Sequence, residues 1–294
     1  MKLKRFKEKT IHFFFLLAGI SAIIILLGIF SMLLYNGIKT FKDVSVFNFF
    51  FSTVWNPSAY QEPSYGILSM VVSTFMVILG AMVIAIPLGI GTAAYITEVA
   101  NPRTQEILKP IIEILAAIPS VVIGFLGIIF VGPLIANIFN LTNGLNAVNG
   151  SILLAVMSLP TIIGISEDAI RAVPKEYKEA SYALGANRWT TLIRVTIPAA
   201  ISGIVASIML GTGRAIGETM TVLMVTGNAP AIPHSFFDSI RTMTATIAIE
   251  LGEVPYGTTH YYAIFAVGTV LFLMSLSVNI IAELVTAKYR TQRT

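Results

Sequence analysis

The sequence predicts an all-α integral membrane protein of six spans, and three observations carry that prediction. Of its 294 residues, 55% are apolar and only 12% are charged, whereas a soluble domain devotes roughly a quarter of its residues to charge. The apolar residues gather into runs of about 20 or more, each long enough to cross a hydrocarbon core of about 30 Å as a helix. The basic residues collect on alternate connections between those runs, the asymmetry expected of a chain threaded through a membrane. The apolar content excludes disorder, and the shortage of charge excludes a soluble surface. No cysteine is present, which removes disulfides, thiol catalysis and thiolate-held metals. His12, His234 and His260 stand too far apart for a local metal motif, so neither a metal nor another cofactor is expected.

The first span, residues 11–35, follows the basic head MKLKRFKEK. Its apolar stretch is longer than the core of a secretory signal and no small-x-small cleavage site closes it, so a retained helix is expected. Further runs cover 67–97, 107–139, 148–165, 192–225 and 261–285. Six spans put both termini on one side. Of the 19 Lys and Arg residues, the five of the head, Arg103 and Lys109, the five from Arg171 to Arg194 and the three of the tail fall on that side. Lys39, Lys42 and Arg241 fall opposite, and Arg214 lies within a span. Both termini are therefore expected in the cytoplasm, with the chain in the cell membrane, the inner one in a two-membrane bacterium. The net charge of +4 then reflects cytoplasmic flanks, and no nucleic-acid partner is needed to explain it.

The chain divides into a head, first span and external segment (1–66), a five-helix core (67–285) and a cytoplasmic tail (286–294). The external segments, about 36–66, 140–147 and 226–260, carry Trp55, Tyr60, Tyr65, Tyr256, Tyr261 and Tyr262 at or near them, which suit the aromatic belt where lipid headgroups meet water. None is large enough to be an external domain, so capture of a scarce solute falls to another chain. Pro87, Pro119, Pro133, Pro160 and Pro198 and several glycines interrupt the spans. Close packing through small residues accounts for any one of them; their accumulation favours a moving bundle over a passive anchor.

Between the fourth and fifth spans, Pro174 is placed to start a short helix and Gly185 to stop it. Tyr177, Ala180, Ser181 and Leu184 share one side, with Lys175, Lys178 and Glu179 mostly elsewhere. A helix this short is marginal alone in water and must be held by the membrane domain or by a partner's groove. Glu179, Ala180, Ser181, Gly185 and the closing Val195-Thr196-Ile197-Pro198 resemble the coupling-helix motif of ATP-binding-cassette import permeases, with Ser181 where that motif usually has a second alanine. The resemblance implies a coupling helix at 175–185, with Glu179 as a docking contact on an ATPase, Ala180 and Ser181 as close-packing positions and Gly185 as the turn beyond. Without it, Glu179 reads as solvated and Gly185 as a plain helix stop. Arg188 and Trp189 read as interfacial anchors. Glu167 and Asp168 either pair with nearby cations or form a solvated helix end.

The fifth run contains Arg214 and Glu218, whose i,i+4 spacing in a continuous helix puts them on one face. Charges at that depth are costly and usually face a bundle interior or an aqueous path, so they are either a structural pair or a site for an anion that the Arg fork can grip. Thr212, Thr219 and Thr221 are secondary candidates for the path, each able instead to bond its own backbone. Glu113 either pairs across the bundle, with Arg214 for example, or sits hydrated near the cytosol. No nucleophile, base and metal constellation accompanies these residues, and no full Walker A motif occurs, so a transport subunit is expected and not an enzyme.

Joined together, GRAIGETM with VTGNAPAIP, EILAAIPSVVIGFLGI, and RTMTATIAIELGE with THYYAIFAVG resemble the phosphate-specific branch of the binding-protein-dependent import permeases, and within it one of the two related channel-forming chains, over about 19–282. That resemblance implies a six-helix type I importer permease that passes inorganic phosphate. It also implies a second homologous permease chain, two copies of an ATP-binding-cassette ATPase, an external phosphate-binding protein and surrounding membrane lipid. Arg214 and Glu218 match that family's functional charged positions, and with Thr219 and Glu113 from the reading of the residues themselves they are the expected pathway residues. Asn228, Ser235 and Arg241 either meet the binding protein or merely cap external loops. A permease for another oxyanion, such as sulfate or molybdate, or for another small solute, and a noncatalytic scaffold or signalling subunit are the competing readings.

Overall fold

The computed structural model describes residues 2–60 and 62–291. The side chains of the basic head (2–10) and of 282, 285, 286 and 288–291 lie outside that description, as do Met1, Gln61 and the end of the tail, Arg293 included. Among the described residues, six helical segments have the length and apolarity to cross a membrane: Ile11–Lys42, Leu68–Val99, Ser120–Phe139, Ala147–Arg171, Arg188–Gly217 and Thr259–Ile281. The chain is a multi-pass, all-α bundle, as its hydropathy predicts.

Helix α1 (Lys2–Ile38) is followed on the external side by α2 (Val46–Phe51) and a two-stranded hairpin, β1 (Trp55–Asn56) against β2 (Ser64–Tyr65), with Trp55 opposite Tyr65. Helix α3 (Leu68–Ala94) runs on into a wide π-turn, Tyr95–Val99. Next come α4 (Pro102–Ala117), α5 (Ser120–Leu126), a second π-turn at Gly127–Val131, α6 (Gly132–Phe139) and α7 (Ala147–Arg171). Short α8 (Lys175–Ala183) and α9 (Arg188–Thr191) precede a third π-turn, Leu192–Thr196, that opens α10 (Ile197–Gly217). The chain ends with α11 (Met220–Val225), α12 (Met243–Glu250) and α13 (Thr259–Thr291).

Helix α7 is the centre of the bundle. Its Ile162 is fully buried and sits between two glycines: a Cβ added to Gly89 of α3 or to Gly211 of α10 would stand 2.6 Å from that side chain. Gly80 of α3 likewise leaves space for Ser151 of α7, and the Ser166 and Ser207 hydroxyls join α7 to α10 at 2.7 Å. In lipid, where apolar burial drives helices together weakly, close packing and such bonds hold a bundle. Val77, Ala81, Ala85, Leu154, Ala155, Ala215 and Ile216 complete this three-helix core. Helix α1 differs: none of the residues in its most apolar stretch is buried by the chain, and its outer part rests on α13 through Gly37 against Ala266 and a Phe30–Phe272 stack at 5.1 Å.

Three expectations change. The run 107–139 is not one span: Ile118 turns extended ahead of Pro119 and ends α4, which buries none of its residues, so the crossing begins at Ser120. The run 192–225 is not one helix either, because α10 stops at Gly217. Trp55 is no belt residue. It is 3% exposed, in a cluster with Phe49, Ile67, Met70 and Met243, and its indole donates to the Glu250 carboxylate at 3.0 Å. Arg241 Nη1 at 3.0 Å and His260 Nε2 at 2.8 Å meet the same carboxylate, so one acid ties the hairpin, α12 and the start of α13 together.

The later external loop is fixed by its own polar groups. Asp238 accepts the His234 and Ser235 N–H groups at 2.7 and 2.8 Å, which holds its carboxyl below the usual carboxylate range. Its backbone carbonyl accepts Ala147 N–H at 3.1 Å and so covers a free donor at the start of α7. Asn228 adopts a left-handed conformation (φ 57°), bonds Leu223 O and accepts Arg241 Nε on its carbonyl. For Asn228, Ser235 and Arg241 the loop-building reading therefore describes the geometry.

Candidate functional site: the Arg214 break and the coupling helix

Arg214 lies one turn before the end of α10 and is exposed on the isolated chain. Its Nη1 donates to Thr161 Oγ1 of α7 at 3.3 Å. Thr161 stands near the middle of α7, about 21 Å from one end and about 15 Å from the other at roughly 1.5 Å per residue, so the guanidinium lies against the middle of a membrane-length helix. A cation held there against lipid costs several kcal/mol; the face that carries it must be covered by water or by another chain.

Glu218 does not share a helical face with Arg214. It is extended (φ −69°, ψ 125°), and its Oε1 accepts Thr221 N–H at 3.1 Å, so the carboxylate satisfies a free donor at the start of α11. Gly217 ends the helix, and the capping bond replaces the i,i+4 pair that a continuous helix would have allowed. The unwound backbone is supported from two sides. Thr244 Oγ1 of α12 donates to Glu218 O at 3.2 Å, and Thr221 Oγ1 donates to Ser120 O at the start of α5 at 3.0 Å. A broken helix at this depth is tolerated only where protein or a wet cavity satisfies its backbone.

Among the described residues, Arg214, Glu218 and Glu113 make no ion pair. Glu113 is exposed on α4, outside the crossing segment, so its pairing with Arg214 is not formed. Thr219 bonds Gly217 O and Thr212 bonds Ile208 O, local partners that leave only Thr221 reaching across the bundle. Among the described residues the guanidinium thus has one hydrogen-bond partner, and its other donors form an arrangement suited to gripping an oxyanion.

At the other end of the bundle, oriented to the cytoplasm by the charge pattern, α8 has no buried residue. It ends in a Schellman turn. Gly185 N–H reaches Tyr182 O at 2.9 Å and Ala186 N–H reaches Ser181 O at 3.1 Å, with Gly185 at φ 82°. Glu179 and Ala180 are exposed, Leu184 is 89% exposed and Tyr177 53% exposed, whereas Lys178 and Ser181 turn inward. Lys178 pairs with Glu98, and Ser181 Oγ lies 2.9 Å from Thr191 Oγ1. The sequence pattern puts Lys178 off the working face and gives no sign of Glu98 or Thr191, since nothing local marks them. An open groove of about 900 Å³ flanks this helix, lined by Glu98, Tyr182, Asn187, Arg188, Trp189 and Leu192. Nearby, Glu167 bridges Lys109 at 2.7 Å and Arg171 at 2.9 Å, fastening α4 to α7, while Asp168 stays exposed.

Known proteins share both the sequence and the fold. The "Probable ABC transporter permease protein YqgH" of Bacillus subtilis is 39% identical over 262 residues, covering 88% of this chain and 82% of that protein. The "Phosphate transport system permease protein PstC" of Mesorhizobium japonicum is 34% identical over 282 residues, 89% of this chain and 84% of that protein. Among solved structures, the inward-facing MetNI methionine ABC transporter covers 76% of this chain and 94% of its own at a TM-score of 0.57 and 19% identity, a likeness of fold. Residues 85–291 match the family described as "Binding-protein-dependent transport system inner membrane component". With that match running from the end of α3 through the coupling segment and the broken helix to α13, and with relatives above 30% identity over most of the chain, this protein belongs to the binding-protein-dependent inner-membrane components, the permease subunits of ABC importers.

Proposed function

We propose that this permease passes inorganic phosphate, delivered by an external binding protein, into the cytoplasm, in a complex with a second permease chain and two ATPase subunits. The observation that carries the reading is Arg214, a guanidinium against the middle of a membrane-length helix with no carboxylate partner among the described residues and an exposed face that a second permease chain would enclose. Names of relatives at 31–34% identity, all phosphate transport system permeases, support phosphate as the oxyanion. Arg214 receives phosphate oxygens on its free N–H groups, Thr161 orients the guanidinium, and Glu218, occupied in capping α11, does not neutralise it. Binding stays modest, because a tight complex would block release.

The power stroke arrives through α8. Its exposed Tyr177, Glu179, Ala180 and Leu184 form the surface offered to an ATPase cleft, and the Schellman turn at Gly185 sets the angle at which the chain leaves it. Replacing Gly185 with Val places a β-branched residue in a left-handed conformation, at a cost of about 1–2 kcal/mol. Phosphate moved per ATP hydrolysed should fall several-fold in the assembled complex, and Glu179→Ala should act in the same direction. A ratio unchanged in both variants removes the coupling role.

The deciding experiment for the substrate is uptake of labelled phosphate, sulfate and molybdate by the purified multisubunit complex in vesicles. Phosphate should be taken up in preference; ATP-driven uptake of sulfate or molybdate without phosphate overturns the reading.

A further inference from the structure

We propose that α8 drives the bundle through two side-chain tethers, Lys178–Glu98 and Ser181–Thr191, the first landing in a π-turn and the second directly before one, where a transmembrane helix can yield. The proposal rests on the reading of α8 as the ATPase-docking helix. Helix α8 buries no residue, so apolar packing is a weak path for its displacement into the membrane. Among the described residues two polar side-chain contacts link it to the bundle, and their partners lie on different spans. Lys178 and Glu98 are 80 residues apart in sequence and each about one-fifth exposed, sheltered enough for the pair to escape most solvent screening. Thr191 is 1% exposed, an anchor embedded in the bundle. Ser181 occupies the position where the coupling motif usually has alanine, and its extra oxygen is the atom that reaches Thr191.

Both landing points adjoin irregular backbone. Glu98 lies within the π-turn Tyr95–Val99 at the end of α3, closed by Ala100 N–H to Tyr95 O at 2.8 Å. Thr191 immediately precedes the π-turn Leu192–Thr196 that opens α10, closed by Ile197 N–H to Leu192 O. A π-turn holds one residue more than an α-turn, so losing the one at Leu192–Thr196 turns α10 by about 100° relative to α9, whereas the one at Tyr95–Val99, with Ala100 extended beyond it, gives slack to the end of α3. Helices α3 and α10 flank α7 through the two glycines that face Ile162, and α10 carries Arg214. A pull on Thr191 therefore bears on the helix that presents the guanidinium, and a pull on Glu98 bears on the opposite flank.

The test uses the full complex in vesicles. The chain has no cysteine, so paired spin labels at Leu88 and Leu210 report the α3–α10 separation without background from this subunit. Lys178→Met, Ser181→Ala with Thr191→Val, and the swap Lys178→Glu with Glu98→Lys are compared for assembly, ATP hydrolysis, phosphate moved per ATP and the ATP-induced distance change. Cross-linking from Glu176 reports whether α8 meets the ATPase. Lys178→Met and the hydroxyl pair variant should each keep assembly, cross-link and hydrolysis, yet lose at least about fivefold in phosphate per ATP together with most of the distance change. The swap should recover to within about twofold of the unmodified chain. Should Lys178→Met not assemble, the hydroxyl pair, which changes only two side chains by an atom or two, carries the comparison. Unchanged phosphate per ATP and unchanged distance response in the variants, with the cross-link present, overturn the tethers; absence of the cross-link in the unmodified chain overturns the docking reading beneath them.

Discussion

Arg214→Gln should lower phosphate uptake by the reconstituted complex about a hundredfold while the complex itself assembles in near-normal yield. Among the described residues the guanidinium makes one long bond, 3.3 Å to Thr161, and no ion pair, so little of the fold depends on it. Removing an intramembrane charge also relieves an insertion cost of about 2.5–3.5 kcal/mol on biological scales. On the proposed function, what disappears is a pair of charge-assisted hydrogen bonds to phosphate within the membrane, each worth about 1.5–3 kcal/mol. A net loss of about 3 kcal/mol at the barrier is a factor of roughly 100 in rate. Arg214→Lys keeps the charge but loses the planar fork and should fall between the two. Uptake at the parental rate by an assembled Arg214→Gln complex would sink the pathway role.

Gly144→Ala should damage the fold more than alanine at any other glycine, since its added Cβ makes the closest approach among them. A Cβ at that position would stand 1.8 Å from Gly132 O and 2.4 Å from Gly132 C, and both are backbone atoms with no flexible end to move. The corner is braced by fully buried Asn149, whose Nδ2 donates to Gly144 O at 3.0 Å and to Gly127 O at 3.2 Å. Asn146 caps α7 by accepting the Asn149 N–H at 3.0 Å. Alanine forces α6 away from the loop and strips these buried bonds. Overpacking and an unsatisfied buried amide together cost about 3 kcal/mol or more, and the midpoint of thermal unfolding in detergent should drop by at least about 6 °C. Gly164→Ala in α7, where an added Cβ meets nothing within 4 Å, is the matched control. Equal midpoints for the two variants would refute the steric account.

How far these features are legible in the sequence differs by kind. The α8 boundaries follow from Pro174 and Gly185, because a proline start and a left-handed glycine stop are properties of single residues. Glu218 defeats the same style of reading: spacing puts it beside Arg214, whereas the chain uses its carboxylate to cap α11 once Gly217 has ended the helix. Glu113 escapes for a related reason, since the apolar residues on both sides of Pro119 sum to one long run although the backbone turns there. Trp55 has the residue type of an interfacial aromatic, but its environment is set by Glu250, 195 residues away.

From the sequence alone come the membrane class, the six crossings and their expected direction, because hydropathy and the placement of Lys and Arg are sums over neighbouring residues and need no knowledge of what touches what. The tertiary structure decided where the fifth span breaks, that Arg214 faces Thr161 and not a carboxylate, and that α8 hangs on Lys178–Glu98 and Ser181–Thr191. Each of these depends on which polar atoms meet across helices, and a donor or acceptor sheltered from water takes whichever partner the packing brings within reach.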